Sequence, residues 1–143
     1  MNLLPIERLQ EAQLFSQVER GVEWACLAVG ALEGIKQADR AIQACTKVME
    51  AQEPDKAGTL PDMALNETLL SAAAIAAALG LVACTSPLVS LAIYNPNVVN
   101  RSVAFLAIGF EAGVGLRGLE GLASVAYVTI KDIIATYGIK PQG

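Results

Sequence analysis

The chain has no histidine among its 143 residues, and this absence narrows the chemistry it can carry out. Histidine is the commonest general base and a frequent zinc or haem ligand, and it completes the usual Ser/His and Cys/His nucleophile pairs. The acidic residues of the first half are spaced as a solvated helix face rather than as catalytic pairs. The sequence therefore predicts a non-enzymatic protein with no cofactor and no bound metal.

Basic patches and aromatic residues are also scarce. Ten Lys/Arg residues stand against 14 Asp/Glu, the formal net charge is −4, and 5% of the residues are aromatic. Because nucleic-acid affinity comes mostly from Lys and Arg neutralising phosphates, nucleic acid is not an expected partner. Cys26, Cys45 and Cys84 are an odd number and form no CxxC pair, so we expect reduced thiols rather than a disulfide framework or a zinc site.

The N-terminus has no secretory signal pattern, because residues 1–8 contain neither a basic start nor an apolar run before the first charges. Synthesis in the cytoplasm is therefore expected, with any membrane insertion directed by internal segments. Charge is unevenly placed: residues 1–67 carry six Lys/Arg and eleven Asp/Glu, whereas residues 68–143 carry four and three. The first half is predicted to be the water-facing one.

Residues 1–50 form the first predicted segment, a long amphipathic helix. Apolar residues recur there at steps of three or four, which is typical of one helical face: Val18, Val22, Ala25, Val29, Leu32, Ile35, Ala38, Ile42, Cys45 and Met49. Gly30 and Gly34 predict a soft point near its middle, at about 1 kcal/mol each relative to Ala. Residues 51–66 contain two prolines, a glycine and four charges, and predict a solvated linker.

Residues 67–143 predict a hydrophobic helical hairpin. No charged residue occurs from Thr68 to Asn100, and the turn signal is clearest at residues 95–97. The second arm is expected from Val98 to Thr136, with Gly138 as its stop signal. Asp62 or Asn66 suits the N-cap of the first arm, and Pro87 is expected to bend or end it. The predicted fold class is all-α: a long amphipathic N-terminal helix followed by a hydrophobic helical hairpin.

Both arms are long enough to cross a bilayer, which takes about 20 residues. The apolar side chains of Leu69 to Tyr94 favour insertion by about 5 kcal/mol, and those of Val103 to Ile130 by about 6 kcal/mol. Glu111, Arg117 and Glu120 in the second arm would each cost about 2.5 to 3.5 kcal/mol if unpaired at mid-bilayer. The second arm is therefore expected to insert only with its charges paired.

The second arm also carries the candidate helix-packing and assembly residues. Arg117 and Glu120 are three residues apart and can meet on one helix, whereas Glu111 needs a partner on another helix or subunit. Our hypothesis for that partner is a basic residue such as Arg101 of an adjacent copy.

Glycines on the same arm predict close helix contact, because small residues let two backbones approach. They are Gly109 and Gly113, a GxxxG pair, with Gly115, Gly118 and Gly121 beyond them. Residues 113–118 also fit the GxGxxG dinucleotide pattern, but helical residues flank them and too few residues follow for a dinucleotide domain.

These features predict a structural subunit of a homo-oligomeric helical assembly, embedded in or attached to a membrane, with lipid as a partner. One alternative is a soluble all-α filament or shell subunit whose hairpin is buried by neighbouring subunits. A second alternative is an accessory subunit of a larger membrane complex. A proton- or ion-carrying role for Glu111 or Glu120 ranks last.

Overall fold

Three helices account for nearly all of residues 5–138, the part of the chain that the computed structural model describes. Helix α1 spans Pro5–Gln52, α2 spans Leu60–Tyr94 and α3 spans Val98–Tyr137. The predicted all-α fold, with a long first helix followed by two apolar helices, is confirmed. The last five residues of the predicted hairpin segment, 139–143, lie outside the described range.

Helix α3 is the central helix, and α1 lies parallel to it. Glu23 of α1 lies beside Arg101 of α3, and Asp39 lies beside Arg117. Each residue of α1 is therefore level with the α3 residue whose number is 78 higher. By this offset residue 20 is level with Val98, the first residue of α3. The first 15 residues of α1, about 22 Å of helix, therefore project beyond the start of α3.

Helix α2 returns antiparallel against α3. Thr85 meets Glu111 near the turn, while Glu67 meets Arg117 farther along, so the contacts run in opposite directions on the two helices. Helix α2 makes far fewer contacts with α1 than with α3. A small core of Ala38, Ile42, Ala74 and Val114 closes the space where all three helices meet.

The turns and helix ends follow local chemistry. The side chain of Asn97 accepts a hydrogen bond from the Asn100 amide at 2.8 Å and caps α3, and Gly138 ends α3 in the left-handed conformation with φ of 63°. Helix α2 begins at Leu60 rather than after Asp62, because Pro61 fits the first helical turn, where no backbone donor is needed. The connection is therefore residues 53–59, shorter than the predicted linker 51–66.

Pro87 does not end α2, which was one of the two outcomes expected from the sequence, because the helix runs through it to Tyr94. A proline removes one backbone donor and strains the helix, but here α2 is held against α3 on both sides of it. Thr85 bonds Glu111 just before the proline, and Val89 lines a shared cavity with Phe105 just after it. Tertiary packing thus outweighs the local cost.

The predicted apolar face of α1 is not one face. Val29, Leu32, Ile35 and Ala38 follow one another at steps of three, and each step falls about 60° short of a full turn, so the stripe rotates by about 180°. Ala38 is accordingly buried against the other helices, whereas Val29 is 58% exposed. The N-terminal half of the stripe faces away from α3.

Candidate functional site: glycine crossing and three-helix ion pair

Four glycines bring the backbones of α1 and α3 into contact. They form two GxxxG pairs that face each other, Gly30 and Gly34 on α1, and Gly109 and Gly113 on α3. A Cβ atom on Gly113 would lie 2.9 Å from the carbonyl carbon of Ala31, and one on Gly34 would lie 3.0 Å from that of Phe110. Such a crossing allows Cα–H···O contacts between main chains and leaves no room for any side chain.

Gly30 and Gly34 are the residues that sequence analysis missed at this crossing. Their wide conformational range predicted a soft point, but α1 is unbroken from Pro5 to Gln52. Their four-residue spacing, the same as that of Gly109 and Gly113, is the signal that identifies them as a packing pair. The cost of two helix glycines is offset by close approach rather than by flexibility.

Gly118 and Gly121 face the other neighbour, α2. A Cβ atom on Gly118 would lie 2.8 Å from the carbonyl oxygen of Ser71, and one on Gly121 would overlap the hydroxyl of the same serine, which is fully buried. Gly115 differs, because its added Cβ would find Ala78 at 3.6 Å, an ordinary van der Waals distance. The glycines of α3 therefore divide into a set against α1, a set against α2, and one with space.

Arg117 joins all three helices. Its Nε donates to Oδ1 of Asp39 on α1 at 3.0 Å, and its Nη1 donates to Oε1 of Glu67 on α2 at 3.3 Å. The arginine side chain is only 14% exposed, and two carboxylates surround it, so the pairing compensates part of its desolvation. Glu120, the partner that local spacing suggested, is instead exposed and lines the adjoining groove.

Glu111 is half-buried and accepts a hydrogen bond from the hydroxyl of Thr85 on α2. Its partner within the described residues is therefore a hydroxyl group, and a basic partner from an adjacent copy stays a hypothesis. Arg101, proposed as a partner from an adjacent copy, pairs with Glu23 of its own chain at 3.8 Å. Arg101, Glu111 and Arg117 of α3 are thus engaged by α1 and α2 before any second copy is considered.

The middle of the site is an apolar crevice between the three helices. The three-helix crevice around Ile42, Leu70 and Val114 has a volume of about 220 Å³ and an almost wholly apolar lining. Over residues 5–138 there is no group of three or more His, Cys, Asp or Glu residues placed to hold a metal ion. The site therefore has the character of a helix-packing surface in which one arginine and two carboxylates form a partly buried ion pair.

The outward face of α1 is polar at the level of Glu111 and Arg117. Glu33, Lys36 and Arg40 lie there, and Gln37 donates a hydrogen bond that lowers the pKa of the Glu33 carboxyl, with the Lys36 and Arg40 charges acting in the same direction. Over the described residues, the longest level that is charge-free on all three helices lies between the Glu23–Arg101 pair and Glu33. That band spans about ten residues, roughly 15 Å.

The outer surfaces of α2 and α3 are apolar and largely uncovered. Each helix contains a window that is long and apolar enough to cross a membrane, with mean hydropathy of 2.0 in α2 and 1.4 in α3. Only 11% of the α2 window and 28% of the α3 window are buried within the chain. Leu79, for example, is 70% exposed.

Comparison with protein-family models, with curated proteins and with solved structures gives no significant match to this chain. The basis for a functional assignment is therefore the packing itself: the glycine crossing, the three-helix ion pair and the uncovered apolar surfaces.

Proposed function

We propose that this chain is a non-enzymatic structural subunit of a homo-oligomeric helical assembly embedded in or attached to a membrane. The observation that carries the proposal is the uncovered apolar surface of α2 and α3: only 11% of the apolar window of α2 and 28% of that of α3 are buried by the chain itself. Monomeric soluble proteins rarely expose contiguous apolar patches larger than a few hundred Å². Lipid or other subunits are needed to cover this surface.

The lengths of the two apolar helices support contact with a bilayer. Helix α2 has 35 residues and α3 has 40, so they extend about 52 and 60 Å, compared with about 30 Å for a hydrocarbon core. Glu111 is bonded by Thr85, and Arg117 by two carboxylates. These pairings lower the insertion cost that the same groups would incur alone.

The charged outward face of α1 supports an assembly rather than an isolated subunit. Lys36 is half exposed at a level where α2 presents apolar residues, so a single subunit surrounded by lipid would expose charge to hydrocarbon. That exposure would cost several kcal/mol. A neighbouring subunit on the α1 side leaves only the apolar helices facing outward.

A soluble helical assembly is the second candidate, and one observation favours it. The band that is charge-free on all three helices spans only about 15 Å, half the thickness of a bilayer core. Neighbouring subunits that bury α2 and α3 would satisfy the apolar surface without lipid. In that case the subunits form a filament or shell in water.

Fractionation of expressing cells separates the two candidates. The membrane proposal predicts that the protein stays in the membrane pellet through washes with high salt and alkaline carbonate, and that detergent releases it. Release by carbonate as a large particle supports the soluble assembly and overturns the membrane proposal.

A pair of matched variants tests the role of the apolar helix. Leu79→Arg places a charge on the exposed face of α2, whereas Leu9→Arg places the same charge on the similarly exposed first turns of α1. We expect Leu79→Arg to lower the membrane-bound fraction and Leu9→Arg to leave it unchanged, because only the first disrupts an apolar span.

A further inference from the structure

A heptad-spaced seam runs along the outward face of α1. Its positions alternate at steps of four and three over 26 residues, about 37 Å of helix: Glu11, Phe15, Val18, Val22, Ala25, Val29, Leu32 and Lys36. A sustained repeat of this kind is the pattern by which two helices supercoil around each other. Six apolar residues occupy the middle of the seam, and one charge stands at each end.

The fold does not use this seam. Val18 lies about 160° around the helix from Gly34, which contacts α3, so the seam and the α3 contact are on opposite sides. Phe15 is 65% exposed and Leu32 is 69% exposed. The six apolar residues of the seam are therefore exposed to solvent over residues 5–138.

The seam is complementary to itself when reversed. If residues whose numbers sum to 47 face each other, Glu11 meets Lys36, and each apolar position meets an apolar one: Phe15 with Leu32, Val18 with Val29, and Val22 with Ala25. The same register sets Arg40, one turn beyond, opposite Glu7. Such i-to-j and j-to-i matching is what a twofold symmetric interface requires.

We propose that two copies of this chain associate through this seam as an antiparallel pair of α1 helices, with the twofold axis between Val22 and Ala25. The inference rests on the proposed function in one respect, that copies of the chain associate, and it names the contact. Other registers fail on charge. A parallel pair sets Glu11 against Glu11, and an antiparallel pair shifted by one heptad sets Glu11 against Val29 or Lys36 against Val18.

The pairing also gives a partner to the projecting end of α1. Residues 5–19 of one copy lie along residues 28–42 of the other, so the projecting helix covers the outward charges of Lys36 and Arg40. An isolated helix of this length is marginal in water, and a partner surface stabilises it. The apolar surfaces of α2 and α3 remain outside the pair, and the two hairpins point in opposite directions along α1.

Charge reversal tests the antiparallel register. In a dimer of the Glu11→Lys variant, two pairs of lysines would face each other, and in a dimer of the Lys36→Glu variant two pairs of glutamates would do so. Each variant should therefore self-associate about tenfold more weakly than the natural protein. Analytical ultracentrifugation in mild detergent measures the association. An equimolar mixture restores both ion pairs and should associate as tightly as the natural protein. Glu53→Lys, the matched control outside the seam, should have no effect.

The contrary results are equally specific. Single variants that associate like the natural protein overturn the proposal, and so does a mixture that associates more tightly than the natural protein, which is the result for a parallel pair. Equal helical content in circular dichroism spectra shows whether a weakened variant is still folded. If neither variant folds, disulfide cross-linking between the two helices decides.

Cross-linking locates the contact directly. In a chain whose three native cysteines are replaced by serine, one preparation carries Val18→Cys and another carries Val29→Cys. Oxidation of the mixture should give a disulfide between the two preparations, and neither should form it efficiently alone. A disulfide between two copies of the Val18→Cys variant, or no disulfide in a sample that is oligomeric, overturns this contact and leaves the proposed function standing. The expected disulfide in a freely soluble dimer contradicts the membrane proposal alone.

Discussion

The glycine crossing of α1 and α3 makes a sharp prediction, because the same substitution should have opposite effects two residues apart. Gly113→Ala adds a methyl group that meets the backbone of Ala31, with the carbonyl carbon only 2.9 Å away. Backbone atoms cannot rotate aside, so the two helices have to separate. Gly115→Ala adds the same methyl group at 3.6 Å from the Ala78 side chain, where there is space.

The magnitudes follow from two opposing contributions. Either substitution gains up to about 1 kcal/mol of helix propensity, because alanine loses less conformational entropy than glycine. Overpacking at Gly113 costs about 1 to 3 kcal/mol, and loss of the adjoining contacts between main chains adds to this cost. We therefore expect Gly113→Ala to be about 2 to 4 kcal/mol less stable than Gly115→Ala.

Thermal unfolding followed by circular dichroism in mild detergent measures this difference. For a chain of this size, each kcal/mol moves Tm by about 3 °C, so the two variants should differ by roughly 6 to 12 °C. Gly30→Ala on the facing helix should behave like Gly113→Ala, since its added Cβ also meets main-chain atoms. Equal melting temperatures for Gly113→Ala and Gly115→Ala would refute the close crossing.

Three other substitutions test the ion pair, the hydroxyl contact and the proline. Arg117→Met removes the cation between Asp39 and Glu67 and leaves two partly buried carboxylates without their partner. We expect the free energy of unfolding, measured by thermal unfolding, to fall by about 2 to 4 kcal/mol, and a fall below about 0.5 kcal/mol would contradict this role. Thr85→Val removes the donor to Glu111 and should lower the free energy of unfolding by about 1 to 3 kcal/mol. The control Thr68→Val should lower it less, because the Thr68 hydroxyl bonds only its own helix, and equal losses would argue against the Thr85 contact. Pro87→Ala should raise Tm, since α2 already runs through this position as helix, and a lowered Tm would show that the proline supports the native packing.

Local chemistry explains why much of the fold could be predicted from the sequence. The turn at residues 95–97 and the stop at Gly138 depend on Asn, Pro and Gly acting on their own backbone, so neighbouring residues suffice to predict them. Pro87 lies beyond that range, because its fate depends on contacts with α3 before and after it. The start of α2 was misplaced because Pro61 was assigned to the linker when it belongs in the first helical turn.

The candidate site shows a similar division. Gly109 and Gly113 could be singled out from their spacing, but their partners come from α1, and spacing alone does not say which helix docks on them. Arg117 was matched with Glu120 because they are three residues apart, yet its partners lie 78 and 50 residues away in sequence. Local pairing rules consider one helix at a time, and this ion pair joins three.

The size of the purified particle with and without detergent tests the central claim, that lipid or sister subunits must cover the apolar surfaces of α2 and α3. Light scattering coupled to size-exclusion chromatography measures it directly. The account predicts that detergent-free samples contain large assemblies or lipid-bound particles, and that detergent yields small oligomers. A stable particle of 14.9 kDa, the mass of one chain, at high concentration without detergent would contradict it.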